Sequence, residues 1–126
     1  MTLFDTDVLI WALRGNAKAV AEIDRASERA VSAVSYMELL RGAKDARDGA
    51  AIRRFLRLGG FRVYPVTEAV TSRAVALMEA LALRNRLDPM DALIFGTAMD
   101  AGLVLCSANQ KHFKDIEGLH SIVFRP

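Results

Sequence analysis

Hydrophobic residues follow two patterns along this chain, short continuous runs and stripes with helical spacing. The first apolar run ends abruptly at Asp5, and aliphatic residues spaced as on a helix follow from Val8 to Trp11. This change of pattern predicts a core strand that leads directly into a helix. Further apolar runs bounded by turn residues predict strands at about Arg29–Val34, Phe61–Val66, Leu103–Cys106 and Ser121–Phe124.

Between these runs, apolar residues recur every three or four positions, which predicts amphipathic helices. After the first helix, these are expected through Ala19–Ala26, from Ser35, and at about Gly49–Leu58, Thr67–Arg84 and Asp88–Gly102. Strands that alternate with helices of this length predict an α/β fold, in which a mostly parallel central sheet carries helices on both faces. No repeat, linker or low-complexity tract interrupts the pattern, so residues 1–126 are expected to form a single domain.

Composition indicates a globular protein but does not indicate which reaction or ligand it serves. Hydrophobic residues make up 52% and charged residues 25%, which favours a packed globular core over disorder. Cys106 is the only cysteine, so no intrachain disulfide is possible. Asp5 and Asp7 stand where a signal peptide would carry positive charge, and no apolar stretch approaches the ~18 residues of a membrane span. We therefore expect a soluble, cytoplasmic protein, and its net charge of +2 permits a nucleic-acid partner without requiring one.

Four polar residues stand at the starts or ends of predicted elements: Asp5, Glu38, Asp91 and Asn109. Loops at one edge of a parallel sheet converge, so these side chains are candidates for one shared site. Carboxylates gathered in a partly dry cleft repel one another and have raised pKa values unless a cation joins them. Mg²⁺ suits such a site, because it binds one or two carboxylates, keeps several waters and leaves room for a substrate phosphate.

Each acid also has a purely structural alternative. Asp5 or Asp7 could cap the first helix, since Asp is a favoured N-cap residue. Glu38 lies three residues after Ser35, the spacing of a capping box. Asp91 falls in the first turn of its helix, where a carboxylate complements the helix dipole.

The remaining polar residues are either structural or candidates for nucleic-acid contact. Asp88 is a natural N-cap, Asn109 could be an ordinary loop residue, and His112 is interpreted as a surface or packing residue rather than a catalyst. Basic residues that could receive a nucleic-acid backbone lie near the acids in sequence. They are Arg41, Lys44, Arg84, Arg86, Lys111 and Lys114. Three further arginines lie opposite an apolar stripe and are expected to form a solvated helix face, namely Arg53, Arg54 and Arg57.

Four motifs occur in order along the chain. They are LFDTDVLI at Leu3–Ile10, SYMELLRG at Ser35–Gly42, DALIFGTA at Asp91–Ala98 and SANQKHF at Ser107–Phe113. Together they resemble the motifs of PIN-domain ribonucleases, most of all the small VapC-type toxins of bacterial VapBC toxin–antitoxin pairs. The resemblance covers nearly the whole chain and implies the three-layer PIN-like fold.

The resemblance assigns roles to particular residues. It implies that Asp5, Glu38 and Asp91 form the metal site, that Asn109 matches a fourth catalytic position, and that Thr6 and Ser107 line the same pocket. The departures from the family pattern are small. Ser107 replaces the usual Thr, Asp7 stands where Asn is frequent, and Asn109 brings no charge, which argues against a second tightly held metal.

The implied function is a Mg²⁺-dependent endoribonuclease, with Mn²⁺ as an alternative ion, that cleaves RNA phosphodiester bonds as a toxin. A water activated by the ion would attack the phosphodiester in line, with Asp5 and Asp91 holding the ion and Glu38 as a ligand or as the group that orients the water. Arg41 is a further candidate for substrate contact. The implied partners are RNA of the tRNA or rRNA class, a VapB-like antitoxin whose tail covers the site, and a second copy in a homodimer to which Trp11 or Met37 could contribute.

Two other functions remain open at this point. Phe4-Asp5-Thr6-Asp7 mimics the nucleophile-and-acid pair of haloacid-dehalogenase-like phosphatases, although Val8 stands where those enzymes usually carry Gly. The chain could also be a non-catalytic RNA-binding or antitoxin-binding module that keeps the fold without turnover.

Overall fold

A five-stranded, fully parallel sheet lies at the centre of the computed structural model, which describes the whole chain, Met1–Pro126. In chain order the strands are β1 Thr2–Phe4, β2 Arg29–Ser32, β3 Arg62–Tyr64, β4 Val104–Ser107 and β5 Ser121–Val123. Their order across the sheet is β3-β2-β1-β4-β5, which places β1 in the middle. The predicted α/β fold with a mostly parallel sheet is confirmed, and the sheet is parallel throughout.

Seven helices connect and cover the strands. They are α1 Thr6–Leu13, α2 Ala17–Arg25, α3 Ala33–Arg41, α4 Ala46–Leu58, α5 Glu68–Asn85, α6 Pro89–Ala101 and α7 Gln110–Phe113. None of them combines the length and the apolar character that crossing a bilayer would require.

Adjacent residues of the inner strands point to opposite faces of the sheet and build two separate hydrophobic cores. In β1, Leu3 belongs to the core shared with α5 and α6, while Phe4 belongs to the core shared with α1, α2 and α4. Leu105 and Cys106 of β4 divide between the same two cores. The period of two along a strand thus produces three layers from a short sheet.

The predicted capping box at Ser35 and Glu38 is wrong. Ser32 is the N-cap of α3, and its hydroxyl accepts a hydrogen bond from the backbone N–H of Val34. The helix begins earlier than predicted and shortens β2, because the hydroxyl of Ser32 satisfies a helix N–H that would otherwise lack a partner. Ser35 therefore lies within the helix, and its side chain is free to take part in tertiary contacts.

Other boundaries moved by a few residues. The helix predicted from Gly49 begins at Ala46, since Asp45 caps it, and α1 begins at Thr6 behind Asp5 rather than near Val8. The residues after β4 contain the short helix α7, where the sequence predicted no helix. The predicted N-terminus of α6 is confirmed, with Asp88 as N-cap and Pro89 in the first turn.

Candidate active site

Asp5 lies where the central strand β1 ends and α1 begins. The parallel pairing of β1 with β4 sets Phe4 beside Cys106, and the Asp5 backbone N–H continues that ladder by donating to the Cys106 carbonyl at 2.9 Å. Next along β4, the Ser107 hydroxyl donates to Asp5 Oδ2 at 2.7 Å. Chain connections leave β1 toward β2 on one side and arrive at β4 on the other, which is where open α/β sheets bind ligands.

The Asp5 carboxyl is the most strongly perturbed acid at this edge. Only 3% of the residue is exposed, and burial, reinforced by repulsion from Asp7 and Asp91, raises its pKa from 3.8 to about 7. Hydrogen bonds from Ser107 and from the backbone N–H of Thr6 act in the opposite direction but do not offset burial. A buried carboxyl in this condition is unstable as an anion and would gain from a nearby cation.

Glu38 approaches the same edge from α3, through a side-chain network that begins at Thr6. The Thr6 hydroxyl donates to Glu38 Oε1 at 2.7 Å and also lies 2.9 Å from the Ser35 hydroxyl. Ser35 and Glu38 are three residues apart, so they share the face of α3 that is turned toward α1. The spacing that suggested a capping box instead serves a tertiary contact.

Asp91 reaches the site from the first turn of α6. Its backbone N–H donates to the Asp88 carboxylate at 2.9 Å, which fixes the turn. Burial raises the pKa of Asp91 to about 6, repulsion from Asp88 and Glu38 adds to that increase, and His112 opposes it. Asp91 contributes to the raised pKa of Asp5, and Glu38 contributes to that of Asp91, so these charges act on one another across the edge of the sheet.

His112, interpreted from the sequence as a surface or packing residue, lies beside Asp91. Its Nδ1 lies 3.2 Å from Asp91 Oδ2, and both side chains are largely shielded from solvent. The one hint in the sequence was that His112 follows Asn109 by three residues. Three residues are close to one helical turn, and Gln110–Phe113 is a helix that begins after Asn109.

Asp7 and Asn109 take supporting positions. The Asp7 carboxylate accepts from the backbone N–H of Val8 at 2.7 Å and from that of Ala108 at 3.1 Å, which ties α1 to the loop after β4. Burial raises the pKa of Asp7 as well. Asn109 is half-buried, and its backbone N–H donates to the Ser107 hydroxyl at 3.1 Å, while its side chain does not cap α7.

The predicted basic residues divide between different surfaces. Arg84, Arg86, Lys111 and Lys114 line one cavity together with His112. Lys44 lines a different groove that includes Glu38, and Arg41 is exposed at the end of α3 without lining either. The three arginines of α4 are exposed, as expected for a solvated face; they are Arg53, Arg54 and Arg57.

The donor chemistry at this edge suits a hard divalent cation, although a complete cage is not preformed. No three His, Cys, Asp or Glu side chains stand close enough together to form a ready metal-binding group. The carboxyls of Asp5 and Asp91 nevertheless have raised pKa values, and a bound cation would lower both. Mg²⁺ commonly uses only one or two carboxylates and completes its shell with water. The residues fit that mode of binding, and the predicted three-carboxylate site remains a prediction.

Comparison with known proteins matches this chain to a family model and to a curated relative. The family model described as "PIN domain" matches residues 2–119. A curated protein, Ribonuclease VapC10 of Mycobacterium tuberculosis strain H37Rv, is 36% identical over 123 residues, which cover 94% of this chain and 90% of the relative.

Solved structures agree with this match at the level of the fold. A toxin–antitoxin complex from Klebsiella pneumoniae contains a chain with a TM-score of 0.81 and 28% identity, and the match covers 98% of this chain and 97% of that one. VapBC2 from Rickettsia felis, bound to a DNA fragment from its promoter, gives a TM-score of 0.83 at 17% identity and covers 98% of each chain.

Proposed function

The chain belongs to the PIN domain family, and from that membership we propose that it is a VapC-type endoribonuclease, the toxin of a VapBC toxin–antitoxin pair. The 36% identity to a ribonuclease over nearly the whole of both chains supports the activity. Because the chain belongs to this family, we set aside the haloacid-dehalogenase-like phosphatase alternative. RNA of the tRNA or rRNA class is the proposed substrate.

One structural observation carries the proposal more than any other. Asp5 and Asp91, 86 residues apart in the chain, are both acids with a raised pKa; Asp91 contributes to the shift of Asp5, and Glu38 contributes to the shift of Asp91. Burying mutually repelling carboxylates is costly, and a purely structural role would be served better by neutral side chains. Functional sites are where such perturbed acids accumulate.

Each residue has a distinct task in the proposed reaction. Asp5 and Asp91 would hold the divalent ion, and Ser107 and the Thr6 backbone fix the Asp5 carboxylate by hydrogen bonds to its two oxygens. Thr6 holds Glu38 through Oε1, which leaves the other carboxylate oxygen to accept a hydrogen bond from the attacking water. Asn109, beside Ser107, completes the pocket near the substrate.

The ion, Mg²⁺ or alternatively Mn²⁺, would supply Lewis-acid chemistry when bound, lowering the pKa of water and offsetting charge on the phosphate. His112 keeps its ring against Asp91 and thereby limits the rotation of that carboxylate. Thr6 and Arg41 are the proposed substrate contacts, with Arg41 exposed where an RNA strand can reach it. Ser107, which the family resemblance also places in the pocket, is fully buried and acts through its hydrogen bond to Asp5.

Two protein partners belong to the proposal. The first is a VapB-like antitoxin, supported by the toxin–antitoxin complexes among the structural neighbours. The second is another copy of this chain. Trp11 and Met37, which are 36% and 59% exposed, are large apolar side chains on the surface and are available for such an interface.

Substitution of the central acids tests the activity. We expect Asp5→Asn and Asp91→Asn each to lower RNA cleavage by about 100-fold or more, since even residues that only support metal ligands contribute about 10- to 100-fold. The measurement is cleavage of total RNA by purified protein with Mg²⁺ or Mn²⁺, together with growth inhibition on induction in cells. Thermal melts establish that each variant remains folded.

Asp24→Asn is the matched control, because it removes one carboxylate from the exposed surface of α2. It should cleave RNA like the unsubstituted protein. Full cleavage by both Asp5→Asn and Asp91→Asn would refute the site, whereas RNA binding without cleavage under any metal condition would identify a non-catalytic binding module.

A further inference from the structure

A polar cavity of about 440 Å³ opens between the end of α5 and the short helix α7. Its lining contains no hydrophobic residue and consists of Arg84, Asn85, Arg86, Lys111, His112, Lys114 and Asp115. Buried Asn85 connects the two sides, since its amide donates to the His112 carbonyl at 3.5 Å. The cavity is therefore a feature of the tertiary structure, built from stretches that are about 25 residues apart in the chain.

The charge around this cavity is strongly one-sided. Four basic side chains face a single acid, Asp115, and none of the four forms an ion pair within 4.0 Å. Like charges gathered around one concavity repel one another, and an anion placed among them relieves that repulsion. Guanidinium groups in addition present paired N–H donors that match the oxygens of a phosphate.

The position of the cavity connects it to the candidate active site. His112 lines the cavity, and Nδ1 of the same ring lies 3.2 Å from Asp91 Oδ2. One imidazole ring therefore separates a concentration of positive charge from the acidic centre. The backbone supports this arrangement at Arg86, whose left-handed conformation, with φ 53°, ends α5 and turns the chain toward the N-cap Asp88.

We propose that this cavity binds backbone phosphates of the RNA strand next to the bond that is cleaved, so that the strand enters the active site past α7. The inference rests on the proposed ribonuclease function and adds a specific substrate-binding surface to it. A polyanion has to approach a group of carboxylates, and basic residues at the margin of that group offset the repulsion. An acidic segment of a protein partner is the competing occupant, and the experiment separates the two.

The test compares two pairs of substitutions that each remove two positive charges from exposed helical positions. Arg84→Gln with Lys111→Gln alters the cavity, and Arg53→Gln with Arg57→Gln alters the solvated face of α4. Both are made in Asp5→Asn protein and measured with a metal chelator present, so that cleavage of the probe is negligible during the measurement. Binding of a fluorescent single-stranded oligoribonucleotide of mixed sequence is followed by anisotropy over a series of salt concentrations.

The cavity pair should weaken binding by about tenfold or more at moderate salt. It should also make the slope of log K against log salt shallower by about 1.4, because each phosphate contact on a single strand contributes about 0.7. The α4 pair should change neither quantity appreciably. Arg84→Lys with Lys111→Arg keeps the charges and should restore most of the binding, which separates charge from folding.

Four results would overturn the inference. Equal losses from the cavity and α4 pairs would mean that only overall charge matters. Unchanged RNA binding by the cavity pair, with weakened binding of a poly-glutamate probe, would assign the cavity to an acidic protein segment. If neither the parent protein nor any variant binds RNA, and the unsubstituted chain does not cleave RNA, the proposed function is rejected along with the cavity. If the unsubstituted chain cleaves RNA and the cavity pair binds RNA normally, only the cavity proposal is rejected.

Discussion

At the scale of single residues, Asp5 combines hydrogen bonds that favour its charged form with burial that disfavours it. Its carboxylate accepts hydrogen bonds from Ser107 and from the Thr6 backbone, and its pKa is nevertheless raised to about 7 because burial and two neighbouring acids dominate. The pKa values of Asp7 and Asp91 shift in the same direction. In metal-free protein these acids make the folded state less favourable when they ionise.

This shift predicts the pH dependence of stability. An acid whose pKa is higher in the folded than in the unfolded chain adds stability at low pH and loses it as pH rises. For Asp5 the loss should occur between about pH 4 and pH 7, with an upper limit of roughly 4–5 kcal/mol, since one pKa unit corresponds to about 1.4 kcal/mol. Urea unfolding of chelator-treated protein across this range measures it.

Asp5→Asn provides the internal comparison for that profile. The variant cannot ionise at this position, so its free energy of unfolding should fall less between pH 4 and pH 7 and should exceed that of the parent protein at pH 8. Asp24→Asn should follow the parent curve. Identical slopes for Asp5→Asn and the parent would show that Asp5 does not carry the raised pKa.

At the scale of elements, the approach of α6 to α5 determines where Asp91 is held. Gly96 lies in α6 against the backbone of α5, where an added Cβ would be 3.1 Å from the Val70 carbonyl oxygen and 3.4 Å from the Ala74 nitrogen. Backbone atoms cannot move aside as a flexible side chain can. The absent side chain at Gly96 therefore allows the close helix contact on which the position of Asp91 depends.

One substitution made at two helical glycines should have opposite effects. Gly96→Ala is expected to lower the free energy of unfolding by about 1–3 kcal/mol, because it overpacks the α5–α6 contact. Gly49→Ala in α4 should raise it by about 0.5–1 kcal/mol, since a Cβ there meets only the end of the Arg53 side chain at 3.6 Å and restricts the unfolded chain. Chemical denaturation measures both, and stabilisation by Gly96→Ala would contradict the close contact.

At the scale of the whole molecule, the proposed site requires three distant stretches of the chain to fold together. Asp5 follows the central strand, Glu38 comes from α3, and Asp91 comes from α6 on the other face of the sheet. A ligand that binds these acids together cannot bind the unfolded chain equally well. Its binding free energy is therefore added to the stability of the whole fold.

Divalent metal should consequently protect the protein against heat. At about one hundred times its dissociation constant, a ligand adds about 2.7 kcal/mol, which for a domain of this size corresponds to a rise in melting temperature of at least about 5 °C. We expect this rise with Mg²⁺ or Mn²⁺ for the parent protein and for Asp24→Asn. Asp5→Asn and Asp91→Asn should lose most of it, and an equal rise in all four proteins would place the metal elsewhere.

The sequence by itself determined the five strands and the helices other than α7, and it placed Asp5 at the end of the first strand. Apolar periodicity and N-cap residues act locally, so they predicted the parallel sheet, the start of α6 at Asp88 and the position of Asp5 at the end of β1. The four motifs were sufficient to identify the family. Element boundaries were less secure, because Ser32 and Asp45 competed with later residues as helix caps.

Only the tertiary structure decided which side chains meet. Ser35 looked like a cap and instead contacts Thr6, 29 residues away. His112, interpreted as a surface or packing residue, contacts Asp91, a partner that the sequence did not indicate. The pairing of β1 with β4 brings Ser107 to Asp5, and the turn at Arg86 brings two distant basic stretches around one cavity. Such contacts depend on strand order and helix packing, which involve residues far apart in the chain and leave no periodic trace in the sequence.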